Sequence, residues 1–390
     1  MERALALRLK LFGEEDPSTL RTSHRLARTA YSLGDYHEAE ELTRKALAGQ
    51  RRLLGAKNRE TLNSMNGLAN IYTLEGKYAQ AEELDTEILE LRRRELGPED
   101  PDTLTSMMNL AVEYVYLGKY AQAEALLGQT IDIRRRVRGP ESPETLQAMM
   151  NLADTYTREG KYAQAEALSI QTHEIMRRVI GPDVENTVDT MDNLASAYTG
   201  EGKYEQADAL FRETIEICRR TRGPAHPFTL GVVSDFAAMY QRQGKYALAE
   251  TYSAQALAGQ RHALGPDHPD TMSSALDLAL ALISQERFAE SETLAREALE
   301  TDRKKQPDDW QFFRAEAVLG ASLAGQKKYA EAEPLLLDGY QGMAARKERI
   351  RVPDWYHLDR AREWIAKLYQ AWEKPDKAAA WKSQSSSGPP

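Results

Sequence analysis

Several residue sets along this chain have types and spacings that chemistry would need, and each of them recurs. The tripeptide Gly-Lys-Tyr stands at Gly76-Lys77-Tyr78, Gly118-Lys119-Tyr120, Gly160-Lys161-Tyr162, Gly202-Lys203-Tyr204 and Gly244-Lys245-Tyr246. A glycine beside a lysine suits a phosphate loop, but the upstream glycine and the following Ser/Thr are missing, so the tripeptide reads as a turn. His226 and His268 both precede a proline at a helix start and lie 42 residues apart, as equivalent joints do and a metal pair does not. Arg92-Arg93-Arg94, Arg134-Arg135-Arg136, Arg177-Arg178 and Arg219-Arg220 resemble a stripe for nucleic acid. They too recur with the period, at the ends of helices where cations complement the helix dipole and nearby carboxylates such as Glu90 and Glu216. No carboxylate is singled out from its copies, and no kinase signature is present. The sequence therefore points to a non-enzymatic protein with no metal and no cofactor.

Composition agrees. The 51 Lys plus Arg against 60 Asp plus Glu leave a formal charge of −9, which speaks against a general polyanion binder. A single cysteine, Cys218, excludes an intramolecular disulfide and a cysteine zinc site and fits a reducing compartment. There is no long apolar run and no signal-peptide core at Met1-Glu2-Arg3-Ala4-Leu5, so the expectation is a cytoplasmic protein without a membrane or nucleic-acid partner.

The elements that must position any site follow from the period. Gly34, Gly76, Gly118, Gly160, Gly202 and Gly244 recur every 42 residues, each two residues before a tyrosine. Such an interval marks a stack of one supersecondary unit. In the third unit, Asp100-Pro101 is a helix start, with the aspartate as cap and the proline where its missing N–H costs nothing. Leu104, Met107, Met108, Ala111, Tyr114 and Val115 then trace one face of a helix A. Gly118 supplies the left-handed turn. Ala123, Leu126, Leu127, Ile131 and Val137 trace a helix B that ends at Gly139-Pro140. The alanine pair Ala111/Ala123 recurs as Ala27/Ala39, Ala69/Ala81, Ala153/Ala165, Ala195/Ala207 and Ala237/Ala249, small residues that let the two helices approach closely.

The order Leu110-Ala111, Tyr114, Gly118, Tyr120, Ala123 resembles the tetratricopeptide repeat (TPR), and the 42-residue period with its Gly-Pro and Thr-Leu joints looks like the longer variety of kinesin light chains. The resemblance implies an all-α fold, a right-handed α-solenoid of antiparallel helix pairs. Residues 1–13 read as an orphan helix B of a preceding or capping repeat, which suggests a piece of a longer protein, and 14–306 as seven repeats. Residues 307–382 read as an irregular eighth repeat plus a partial capping repeat rich in tryptophan, and 383–390 as a disordered tail. In the seventh repeat Glu286 takes the place of the turn glycine. The ending from Pro307-Asp308-Asp309-Trp310 onward resembles repeat tails of bacterial Ser/Thr kinases and related signalling proteins.

In that family peptides lie along the concave groove formed by the A helices, and the resemblance carries this onto equivalent positions here. The residue before the motif leucine is Arg25, Asn109, Asn151, Asn193 and Asp235 in successive units, with glycine in the second. An amide offers a donor and an acceptor to the backbone of an extended peptide, or to a neighbouring helix. Arg21, His24, Arg25 and Arg28 give one end of the groove positive charge, and Asp189, Asp192, Asp235 and Asp277 give later turns negative charge, so the groove should be dipolar, with Asp154 a further groove candidate. Asn66 and Asn70 extend the polar row, and Met108, Val112, Tyr116 and Met150 make its middle less polar, suiting an apolar anchor or filling the core. The expected function is a scaffold for a peptide or partner protein. The alternative is a module that self-associates through the array ends or serves as the sensor of a larger signalling protein.

Overall fold

The structure is a computed structural model that describes residues 2–13, 16–32, 36–305 and 307–383. Among these residues every regular element is helical: α1 (Glu2–Phe12), α2 (Pro17–Ser32), α3 (Tyr36–Leu54), α4 (Arg59–Leu74), α5 (Tyr78–Glu95), α6 (Pro101–Tyr116), α7 (Tyr120–Arg138), α8 (Pro143–Glu159), α9 (Tyr162–Val179) and α10 (Glu185–Gly200). The series continues with α11 (Tyr204–Thr221), α12 (Pro227–Gln243), α13 (Tyr246–Ala263), α14 (Pro269–Ile283), α15 (Phe288–Lys305), α16 (Trp310–Gly325), α17 (Tyr329–Ala345), α18 (Tyr356–Ala371) and α19 (Pro375–Ser383). From α2 onward even-numbered helices are the A helices and odd-numbered ones the B helices. Gly34 and residues 384–390 of the expected tail lie outside the described residues.

Local chemistry sets the boundaries. Asp100 caps α6 by accepting the Asp102 backbone N–H at 2.9 Å, and Pro101 occupies the first turn. His226 and His268 cap α12 and α14 in the same way, each ring Nδ1 accepting a backbone N–H at 3.2 Å. The turn glycines take the left-handed conformation, Gly118 at φ 71° and Gly244 at φ 77°. Glu286, which replaces one of them, is held at φ 60°.

The chain forms two compact units, residues 1–152 and 153–390, each a stack of TPR-like helix pairs. In the first, Leu62, Met65, Leu68 and Tyr72 of α4 pack on Ala81 and Ile88 of α5. Ala111 and Ala123, the crossing pair of α6 and α7, are completely buried. In the second, Phe211, Phe236, Tyr240 and Tyr252 form an aromatic cluster, with Phe236 and Tyr252 ring centroids 4.5 Å apart. Its C-terminal end is closed by α16 to α19, where Trp364 and Trp381 pack on Leu336, Ile365 and Tyr369.

Candidate functional site

In residues 1–152 the A-helix face carries Arg21, Arg25 and Arg28, all exposed on α2; the side chain of His24 lies outside the described residues. On α4, Asn66 is half-buried and Asn70 exposed. On α6, Met108 and Asn109 are half-buried, and Val112 and Tyr116 exposed. The Asn109 amide donates to Asn66 Oδ1 at 3.0 Å, tying the two A helices together. This amide, whose donor and acceptor suit a ligand or a neighbouring helix, thus serves at least the helix. The Met108 sulfur faces the guanidinium of Arg134, and the Tyr116 ring stacks on Tyr78 with centroids 4.5 Å apart. In the middle of α8, Asn151 accepts from Gln147 at 3.2 Å. Met150 is buried beside Leu146 and Met149, so its side chain fills the core.

In residues 153–390 the corresponding face is acidic. Asp154 at the end of α8, Asp189 and Asp192 on α10, Asp235 on α12 and Asp277 on α14 are all half-buried, as is Asn193 beside Asp192. Three of these carboxylates have cations of their own. Arg158 pairs with Asp154 at 2.7 Å, Arg222 with Asp189 at 2.7 Å, and Arg314 with Asp277. Asp192 is different, because its Oδ1 is fully buried without a hydrogen-bond partner among the described residues. Burial, with the charges of Asp235, Asp189 and Asp154, holds its carboxyl well above the usual range. Burial likewise pushes Asp235 up to about 6 against the pull of Arg351.

That arginine comes from a segment whose role the repeat pattern did not reveal. Residues 346–355 join α17 to α18 by a joint longer than its counterparts, such as 264–268 between α13 and α14. Its base is fixed: Ile350 is buried with Ala317, Met343 and Ala361, and Trp355 Nε1 donates to the Ile350 carbonyl at 3.0 Å. Its tip leans back on the acidic face. Arg351 pairs with Asp354 at 2.7 Å and feels the charges of Asp235 and Asp154. Val352 covers Gly160, where an added Cβ would stand 2.8 Å from Val352 Cγ1. Further along, Arg360 of α18 donates to Ser284 at 3.3 Å and lies 5.9 Å from the Tyr246 ring centroid. The groove expected along the A helices is therefore partly filled in this unit by the chain itself. Only the length of the joint and its mixture of cations with Pro353 hinted at this.

Several of the recurrent cations that resembled phosphate or nucleic-acid sites are bonded within the stack. Lys119 donates to Glu82 one repeat back at 2.6 Å and stands 5.8 Å from the Tyr114 ring centroid. Arg92, which is buried, donates to Ser106 Oγ at 2.7 Å and to the Asp102 carbonyl at 3.0 Å, joining α5 to the next A helix. Among the described residues no helix is long and apolar enough to cross a membrane.

Comparison with known proteins follows the same geometry. The tetratricopeptide repeat family model matches residues 1–52, 60–136, 114–169, 144–220 and 228–304. Kinesin-light-chain TPR-like repeats of Podosopora anserina are 29% identical, covering 53% of this chain and 97% of theirs, with a TM-score of 0.47. A Rap protein complexed with competence and sporulation factor is similar over 94% of this chain and 96% of its own, at 11% identity and a TM-score of 0.63. The apo form of the quorum sensor NprR from B. thuringiensis covers 94% and 97%, at 15% identity and a TM-score of 0.56. At these identities the last two speak to the fold. No curated protein sequence matches the chain.

Proposed function

The chain belongs to the tetratricopeptide repeat family, and from that premise we propose that it is a non-enzymatic scaffold whose A helices hold an extended peptide, or a segment of a partner protein, along their inner face. The observation that carries this reading is the acidic face of residues 153–390. Asp192 of α10 and Asp235 of α12 stand on successive A helices, Asp192 feels the charge of Asp235, and among the described residues the buried Asp192 oxygen has no hydrogen-bond partner. Burying a carboxylate without a partner opposes folding, so a face that keeps one fits binding better than stability. A Rap protein of the same fold holds competence and sporulation factor, which supports a binding use of such a stack.

In residues 1–152, Arg21, Arg25, Arg28, Asn66, Asn70, Asn109, Val112, Tyr116 and Asn151 would supply the contacts. In residues 153–390, Asp154, Asp189, Asp192, Asn193 and Asp235 would do so. A peptide array probed with the full chain tests the proposal. Peptides it retains should lose at least about tenfold in affinity when Asn109, Asn151 and Asn193 are changed together to Ala, or Asp192 and Asp235 to Asn, a loss of roughly 1.4 kcal/mol. Unchanged affinity for both variants, with helical content intact, would refute the inner face as the binding surface.

A further inference from the structure

We propose that the Arg351–Asp354 tip is a built-in competitor, seated where the inner face of residues 153–390 receives an extended peptide carrying an arginine followed by an aliphatic residue. This rests on the inner-face reading above and names the ligand class and its control.

Three observations converge. First, the face is short of positive charge in one place. Arg158, Arg222 and Arg314 are bonded to Asp154, Asp189 and Asp277, while among the described residues the buried Oδ1 of Asp192 has no hydrogen-bond partner and Asp235 feels the attraction of Arg351 and Arg158. A guanidinium suits this place, because its planar fork can serve two carboxylates at once. Second, the face has an apolar notch beside that charge. Gly160 is held at φ 82° for its turn, and its missing side chain leaves the room that Val352 fills. Arginine and valine in succession thus meet the charges of Asp235 and Asp154 and the space left beside Gly160. Third, the tip is placed to leave. The Arg351 side chain keeps 46% of its surface open to water, and among the described residues its close ion pair is with Asp354 of the same tip. Ile350 and Trp355 anchor the base in the C-terminal core, so lifting residues 351–354 need not unfold the helices on either side.

A tethered competitor presents its side chains at an effective concentration on the order of millimolar, and a ligand's apparent affinity falls by the fraction of molecules in which the site is open. Removing the tip's side chains should therefore reveal the site to a ligand added in trans.

The test uses the full chain and a fluorescein-labelled peptide with the sequence of residues 350–356, Ile-Arg-Val-Pro-Asp-Trp-Tyr, followed by anisotropy. The R351A/V352A protein should bind it at least about tenfold more tightly than the wild type does. D235N added to that variant should remove the gain, and a control peptide with Glu in place of Arg should bind neither protein. R351Q, which keeps the bulk of the side chain, should move affinity in the same direction and guards against a folding defect in the double variant. Equal binding by wild type, R351A/V352A and R351Q overturns the proposal. So does a gain that persists in the D235N background, or no binding at all by opened protein with native circular dichroism. If the proposal fails in any of these ways while array peptides still depend on Asn109, Asn151 and Asn193, the scaffold reading stands and only the built-in competitor is lost. If the array also yields nothing, both fall.

Discussion

Lys77 Nζ, in the turn of one helix pair, lies 2.6 Å from Glu40 Oε2 on helix α3 of the pair before it, and 5.6 Å from the centroid of the Tyr72 ring. The same link recurs as Lys119 with Glu82 and Lys203 with Glu166, each at 2.6 Å. A stack of repeats gains its stability from interfaces between neighbours, and this staple is one polar part of that interface, beside the Asn109–Asn66 and Arg92–Ser106 links.

The staple predicts a small but positive coupling. Lys77 is about two-fifths exposed, so solvent screens the pair, and a double-mutant cycle of Lys77→Ala with Glu40→Gln should give about 0.5 kcal/mol. Burial raises the Glu40 carboxyl, but the Lys77 hydrogen bond and charge outweigh it and hold the folded value below the ordinary range. A depressed carboxylate contributes stability above its unfolded value and loses it as pH falls through the folded one. Urea denaturation of the four proteins at pH 7 and at successively lower pH should show the coupling in full at pH 7 and a decline only below the ordinary carboxylate range.

Glu286 pays conformational energy to close a turn that glycine closes elsewhere, because φ 60° brings its Cβ against the backbone. Glu286→Gly should raise stability by about 1 kcal/mol, the relief of left-handed strain less the extra freedom glycine gives the unfolded chain. A thermal melt that falls instead would show that the Glu286 side chain makes a contribution larger than that strain.

The repeat lattice was readable because its signals are local. A capping Asp100, a turn Gly118 and the small Ala111/Ala123 pair each follow from backbone geometry and packing within one unit. The surface of the unit was less readable. Arg92 looks the same in sequence as its exposed neighbour Arg93, yet it is buried because it meets Ser106 and the Asp102 carbonyl of the next pair. Met150 belongs to the core and not to the face, although its period allows either. The Arg351 tip was illegible for a stronger reason. Its contacts run from residue 352 to residue 160, and a contact that occurs once leaves no period to detect.

Asp85 and Glu113 bring a pH dependence of the opposite sign to that of Glu40. Burial, and then the charge of Glu113, raises Asp85 to about 7. Burial raises Glu113 to about 7 as well, with Thr73 donating to it at 2.6 Å in opposition. A raised folded value means stability is full below the unfolded carboxylate value and is lost as pH rises through about 7. Asp85→Asn should therefore stabilise residues 1–152 at pH 8 and have little effect at pH 4, measured by hydrogen exchange of α5 and α6 at the two values. Equal effects at both would mean that Asp85 ionises as freely in the fold as in the unfolded chain.

Asp192 carries the same logic into the candidate site, where stability and binding should separate. Its carboxyl is raised by burial and by Asp235, Asp189 and Asp154, so at neutral pH the fold bears the cost of ionising it or of holding it protonated. Asp192→Asn removes that cost while keeping the shape. It should raise the melting temperature at pH 7, leave it nearly unchanged at pH 4, and weaken the binding of arginine-bearing peptides. The two effects together mark a residue kept for what it binds: a carboxylate that only held the helices together would lose stability on the same change. A lower melting temperature at pH 7 would identify Asp192 as a structural anchor and remove the main support for an acidic binding face.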